Sequence, residues 1–165
     1  MIICGTGHRP NRLGRPGLSG YDPRVTDAML GAIDATFTEH GVTPTHIISG
    51  MALGFDLALA RYAVARDIPW TAAIPFEGQE RLWPEDSQRL WRDLRALATD
   101  VQIVSPGGYS PAKMQVRNRW MVDRADQVLA LWDGSPGGTA NAVSYARLRN
   151  KPVINAYEHF TRLRP

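Results

Sequence analysis

The chain has 165 residues, of which 44% are hydrophobic and 21% charged, and its formal net charge is +3. That length and balance suit one soluble globular domain over residues 1–165 with a real core. A single cysteine, Cys4, excludes an internal disulfide, and no apolar run approaches the length needed to cross a membrane. The mild positive excess favours anionic ligands without choosing between a nucleotide and a nucleic acid. Met1-Ile2-Ile3-Cys4-Gly5 is too short and uncharged to read as a signal peptide, so a cytoplasmic setting is expected, with no membrane partner.

In chain order, Met1–Thr6 reads as a first central strand that breaks at Gly5-Thr6-Gly7-His8-Arg9-Pro10. Cys4 within it is expected to be a buried thiol. His8 sits at the strand end, where it can contact a ligand or cap backbone groups. The segment from Arg9 to Pro23 is rich in Gly and Pro and carries Arg9, Arg12 and Arg15. It is long for a connector, which leaves a functional role and a solvated loop both open.

A helix is expected from Asp22 or Thr26 to Glu39 or His40, with Ala28, Met29, Ala32, Ile33 and Phe37 as its apolar stripe and Gly41 as its stop. Thr45–Ser49 is a second strand. It runs through Ser49-Gly50-Met51-Ala52-Leu53-Gly54-Phe55-Asp56 into a helix ending near Asp67. A strand, a glycine turn and a helix start form the usual phosphate-binding arrangement of doubly wound sheets. Ser49 and Gly50 are suited to a phosphate. Asp56 either caps its helix or accepts from a ribose hydroxyl.

Trp70–Pro75 is a third strand, opening onto Phe76, Glu77 and Gln79. Pro84 starts a helix to about Ala98, packed through Leu90, Trp91, Leu94 and Leu97. Val101–Val104 is a fourth strand, followed by a loop that carries Tyr109. In the next helix Met114, Met121 and Ala125 share one face with Arg117 and Asn118. A cation and an amide on the packed side of a helix need partners. The fifth strand, Gln127–Trp132, runs into Gly137-Gly138-Thr139 and a helix over Thr139–Arg149. Glycines there admit a ligand to the backbone, and the helix start turns free N–H groups toward it. Pro152–Ala156 is a sixth strand, and the remainder is a tail with Arg162 and Arg164.

This alternation predicts a Rossmann-like three-layer α/β sandwich with a mostly parallel central sheet of about six strands. In such sheets ligands bind outside the carboxyl ends of the strands, where every motif above falls. Neither GxGxxG nor the Walker pattern is present, and no cofactor and no metal is expected.

The set Gly5-Thr6-Gly7-His8-Arg9, Ser49-Gly50-x-Ala52-x-Gly54-x-Asp56, Pro75-Phe76-x-x-Gln79, Arg117-Asn118-Arg119-x-Met121-Val122-Asp123 and Gly137-Gly138-Thr139 resembles the YpsA-like branch of the SLOG superfamily, over nearly the whole chain. That superfamily is Rossmann-like and includes the LOG phosphoribohydrolases and the DNA-processing protein DprA. The resemblance implies binding of nucleotides or nucleotide-derived molecules. LOG enzymes carry a Met-x-x-Arg-Lys helix and a PGGxGTxxE loop. Here Met114 and Arg117 match the first, with Arg117 at the catalytic arginine. Asn118 replaces the lysine, and Ala142 stands where LOG has its catalytic glutamate. Ala142 cannot act as a base, so a carboxylate for that chemistry would come from elsewhere, with Asp56, Glu77 and Asp133 as candidates.

The leading expectation is a sensor or sequestering domain for a nucleotide or nucleotide-sugar. Ser49, Gly50, Gly137, Gly138, Thr139 and Arg117 would hold phosphate, Asn118 and Asp56 would read ribose, and His8, Phe76 or Tyr109 would contact the base. Gly7, Arg9 and Gln79 complete the ligand-binding set. Two alternatives stay open. One is an N-glycosidase acting on a nucleoside phosphate or an NAD-like compound, with Arg117 as its catalytic residue. The other is single-stranded DNA binding of the DprA kind, although nucleic acid is not the expected partner. Related Rossmann-like proteins pair through helices beside the site, which makes a homodimer the expected assembly.

Overall fold

A computed structural model describes residues 1–14 and 19–165; Arg15 of the basic loop lies outside them. Six strands form one sheet: β1 (Ile2–Gly7), β2 (His46–Ser49), β3 (Trp70–Ile74), β4 (Asp100–Ile103), β5 (Gln127–Leu131) and β6 (Val153–Asn155). Their order is β4-β3-β2-β1-β5-β6, and every pairing is parallel. The expected Rossmann-like sandwich is therefore present, with a wholly parallel sheet.

Five helices make the crossovers: α1 (Pro23–Glu39), α2 (Phe55–Ala65), α3 (Glu85–Leu97), α4 (Pro111–Arg124) and α5 (Gly138–Leu148). A sixth, α6 (Tyr157–Leu163), occupies what the sequence suggested was a tail. Among the described residues no helix is long and apolar enough to cross a membrane.

The strands alternate between two cores, as a pleated sheet with both faces covered requires. Ile3, Ile47, Trp70, Ala72, Ile74, Leu129 and Leu131 face the larger one, with α1, α2, α3 and α6. Cys4, Ile48, Ala73 and Val128 face the smaller one, under α4 and α5. Fully burying one such Ile, Leu or Phe stabilises by about 1.5–3 kcal/mol. Helix α1 begins where Asp22 Oδ1 accepts from Arg24 N at 2.8 Å and Val25 N at 3.2 Å. Its expected stripe is buried throughout. On α3, Trp91 and Leu94 are buried while Leu97, at the last position, is exposed.

Helix α2 lies unusually close to β1. A Cβ on Gly5 would overlap Leu59, and one on Gly7 would stand 2.5 Å from Phe55 Cβ. Those two glycines let a helix settle on the strand, as well as leaving the strand end narrow. Strand order reverses between β1 and β5, because the chain returns from β4 across the sheet to pair on the other side of β1. Those two strands stay paired as far as Gly7 and Leu131, and the connections that leave them pass to opposite faces of the sheet, which opens a crevice beyond their carboxyl ends.

Candidate functional site

The crevice is a cleft of about 380 Å³, a size usual for small-molecule sites. From the β1 side it is lined by Thr6, Gly7, His8, Arg9, Asn11 and Arg12. Ala52 and Asp56 come from the start of α2, and Met114, Gln115, Arg117 and Asn118 from α4. Ser135, Pro136, Gly137, Gly138 and Thr139 close it on the α5 side.

Arg117 is the centre of the floor. It is 3% exposed, so its charge needs compensation. Nη1 donates to the Gly50 carbonyl and stands 3.4 Å from Asp56 Oδ2, while Nε donates to Asn118 Oδ1 at 3.0 Å. Nη2 makes no hydrogen bond among the described residues. Gly50 permits this approach: a Cβ there would overlap the guanidinium and lie 2.6 Å from Asp56 Oδ2. The Gly50 carbonyl also accepts from Gln79 Nε2 at 3.3 Å, and Gln79 Oε1 accepts from Trp91 Nε1 at 3.3 Å.

Asp56, in the first turn of α2, is 5% exposed. Oδ2 accepts a long bond from Ala52 N, 3.4 Å, and Oδ1 takes no partner among the described residues. Burial raises its pKa above the usual carboxylate range, opposed by Arg117, Arg9 and the Ala52 N–H. Burial also pulls the Arg117 pKa down, with Asp56 acting against it. A guanidinium does not deprotonate in proteins, so the carboxyl absorbs the strain of this dry pair.

The two strand–glycine–helix turns are used differently. At α2 the chain itself fills the turn. Ser49 Oγ donates to Asp56 O at 2.6 Å and accepts from Met51 N at 3.2 Å, and Phe55 N donates to His8 O at 3.3 Å. At α5 the turn is open. Gly137, at φ +144°, precedes the helix, and no side chain caps it. The first bond of that turn runs from Asn141 N to Gly137 O, 3.0 Å, leaving the N–H groups of Gly138, Thr139 and Ala140 ahead of it. A Cβ on either Gly137 or Gly138 would meet nothing within 4 Å.

One wall is a strap. Arg12, in a short 3-10 turn over Pro10–Arg12, donates to Ser135 Oγ, which donates to Asp133 Oδ1. Ser135 N adds a 2.9 Å bond to the same carboxylate oxygen, and His8 Nε2 lies 2.8 Å from it. The Ser135 hydroxyl and N–H, then His8, hold the Asp133 carboxyl well below the usual carboxylate range. The His8 ring meets Tyr157 of α6 edge-on.

Of the residues singled out in the sequence, the fold brings Gly7, His8, Arg9, Asp56, Arg117, Asn118, Gly137, Gly138 and Thr139 into the cleft. Ser49 and Gly50 lie behind the Arg117–Asp56 pair. Gln79 is a buried brace for Gly50, and Phe76 is buried against the exposed Tyr109 at 5.6 Å, outside the cleft lining. Of the three candidate carboxylates only Asp56 lines the cleft; Glu77 faces Arg95 at 3.9 Å and Asp133 belongs to the strap. Ala142 is buried beside the neighbouring groove between α4 and α5. Sequence reasoning did not assign Asn11, Arg12, Gln115 or Ser135 to the site. Gln115 and Met114 stand one helical turn before Asn118 and Arg117, within reach of a helical-spacing argument, and Ser135 lies two residues before the glycine pair, within reach of the loop motif. Among the described residues no group of His, Cys, Asp and Glu could hold a metal ion.

The likenesses to known proteins fit this architecture. The SPbeta prophage-derived protein YoqJ of Bacillus subtilis is 29% identical over 140 residues, covering 75% of this chain and 81% of that protein. Among solved structures, DNA processing protein A of Helicobacter pylori, described for its single-stranded DNA binding mode, superposes with a TM-score of 0.61 at 17% identity. That match covers 94% of this chain, which spans 64% of the DNA processing protein A chain. The molybdenum cofactor binding protein of Rippkaea orientalis gives a TM-score of 0.53 at 18% identity, over 98% of this chain and 83% of that one. At those identities the likeness is one of fold. Over residues 3–161 the sequence matches the YpsA model, described as the YspA SLOG family, and the chain belongs to that family.

Proposed function

We propose that the cleft binds a nucleotide or a nucleotide-derived molecule, in a sensing or sequestering role. The observation that carries this reading is the charge and shape of one cleft. Arg9, Arg12 and Arg117 line it with one carboxylate, Asp56, a net charge of +2 among the lining residues, and the α5 start beside them is uncapped. A phosphate fits the N–H groups of Gly138 and Thr139, where the partial charge of the helix and its unpaired donors both favour an anion. The unused Nη2 of Arg117 adds a charge-assisted donor. His8 and Met114 are left for the base, because no Phe, Tyr or Trp lines the cleft among the described residues.

The test is a thermal-shift panel of nucleoside monophosphates, NAD, ADP-ribose and cyclic nucleotides. A ligand at a hundredfold excess over its dissociation constant stabilises the native state by about 2.7 kcal/mol. For a domain of this size that is a rise in Tm of roughly 5–11 °C. The rise should vanish in Arg117→Ala. No shift with any member of the panel would overturn the reading.

Asp56 favours a second reading, an N-glycosidase, since it is a carboxylate in the cleft with one oxygen unspent. Chromatography of each thermal-shift hit for released base tests it: release that is lost in Asp56→Asn supports it, and intact ligand removes it. Single-stranded DNA binding draws on Phe, Tyr or Trp stacking platforms, none of which lines the cleft among the described residues, and it predicts an affinity that falls steeply with salt.

A further inference from the structure

We infer that Asp56 and Asn118 form a subsite for the vicinal hydroxyls of a ribose, which makes the cleft selective for ribonucleotides over their 2′-deoxy counterparts. This rests on the nucleotide reading above and adds the sugar.

The argument is one of donors and acceptors. Both side chains are at least nine-tenths buried, both line the cleft, and they flank the same guanidinium. Arg117 Nε can only donate, so the Asn118 oxygen must face it at 3.0 Å. The orientation of the amide is thereby fixed, and its NH2 group is left without a partner among the described residues. Across the guanidinium, Asp56 spends Oδ2 on Ala52 N and Arg117 and leaves Oδ1 unspent. The floor therefore offers the cleft an acceptor and a donor carried on two largely buried side chains and braced by one cation.

A phosphate does not match that pair. Its oxygens cannot donate to Asp56, and their charge would oppose the carboxylate. A hydroxyl does match, since it can donate to Oδ1 while accepting from the amide. Two hydroxyls on adjacent carbons satisfy the carboxylate and the amide together. With the phosphate at the start of α5, this orders the ligand along the cleft: phosphate at Gly138 and Thr139, sugar over Asp56 and Asn118.

The experiment compares matched pairs on the unmodified protein by titration calorimetry. Ribose 5-phosphate is set against 2-deoxyribose 5-phosphate, and each thermal-shift hit against its 2′-deoxy counterpart. A hydrogen bond to a charged group predicts dissociation constants at least about tenfold weaker for the deoxy members. That ratio should fall toward one in Asp56→Asn, and in Asn118→Ala should Asp56→Asn fail to fold. Equal affinity within the pairs, or a deoxy preference, overturns the diol subsite and leaves the phosphate cleft standing. No binding by either member of any pair overturns the cleft reading and the subsite with it.

Discussion

Gly50 and Arg117 share one space: the guanidinium stands where a side chain on residue 50 would begin, and it donates to that residue's carbonyl. Neither position tolerates change alone. Gly50→Ala drives a methyl group into the Arg117 guanidinium, which must give up the Gly50 carbonyl and its place beside Asp56 to make room. The expected cost is about 1–3 kcal/mol, a fall in Tm of roughly 2–12 °C, together with loss of ligand-induced stabilisation. Gly108→Ala, where a Cβ meets nothing within 4 Å, is the control and should change neither. Thermal melts with and without the best panel ligand decide it.

Burial raises the pKa of the Asp56 carboxyl above the ordinary aspartate value of 3.8. A raised acid binds its proton more tightly in the folded state. Its contribution to stability is therefore fully present below 3.8 and is lost as pH rises through the folded value. The stability of the wild type relative to Asp56→Asn should accordingly decline from acid toward neutral pH. Urea unfolding of both proteins across that interval measures the difference. A difference that grows with pH would show that the Arg117 charge outweighs burial.

Asp133 behaves in the opposite sense. Its folded pKa is depressed, first by the Ser135 hydroxyl, so its contribution is present above the unfolded value of 3.8 and is lost as pH falls below it. Asp133→Asn should flatten the acid limb of the stability curve. Ser135→Ala, which removes the largest cause while keeping the backbone bond, should lie between that variant and the wild type. Urea midpoints measured from about pH 5 down to about pH 2 would show the ordering.

Cys4 is 1% exposed, and burial pushes its thiol up to about 12. Thiolate, not thiol, reacts with disulfide reagents. The native protein should resist an aromatic disulfide reagent at pH 8 and yield one thiol per chain once unfolded in denaturant. Labelling of the native protein at the rate of a free thiol would mean that β1 opens locally, apart from global unfolding.

Much of this architecture was legible because the strands are short apolar runs ending in glycine turns, separated by helical stripes. The reversal between β1 and β5 was not, since nothing local in either strand says which edge it joins. Helix α6 escaped notice because it has seven residues and buries only Phe160 fully. In the site, Arg117 and Asn118 were visible as polar groups on the packed side of an amphipathic helix, and their burial follows that periodicity. The fate of Ser49 and Gly50 was not visible. Their turn has the same local pattern as Gly137–Thr139, yet one is filled and the other open. What fills the first is a guanidinium from α4, sixty-seven positions along the chain. Gln79 likewise found its partners, Gly50 and Trp91, through tertiary packing.

The strand order also sets a timetable for synthesis. β1 leaves the ribosome first and can pair with β2, and β3 and β4 can then add to that side as they emerge. Its other edge waits for β5, because Ile3 pairs with Gln127. Until then a strand of the central sheet has an unpaired, apolar edge, the state most open to mispairing between nascent chains. The ligand cannot relieve it. The proposed phosphate seat belongs to α5, which is made later still, so ligand binding cannot guard the growing chain. Binding can stabilise only the finished molecule.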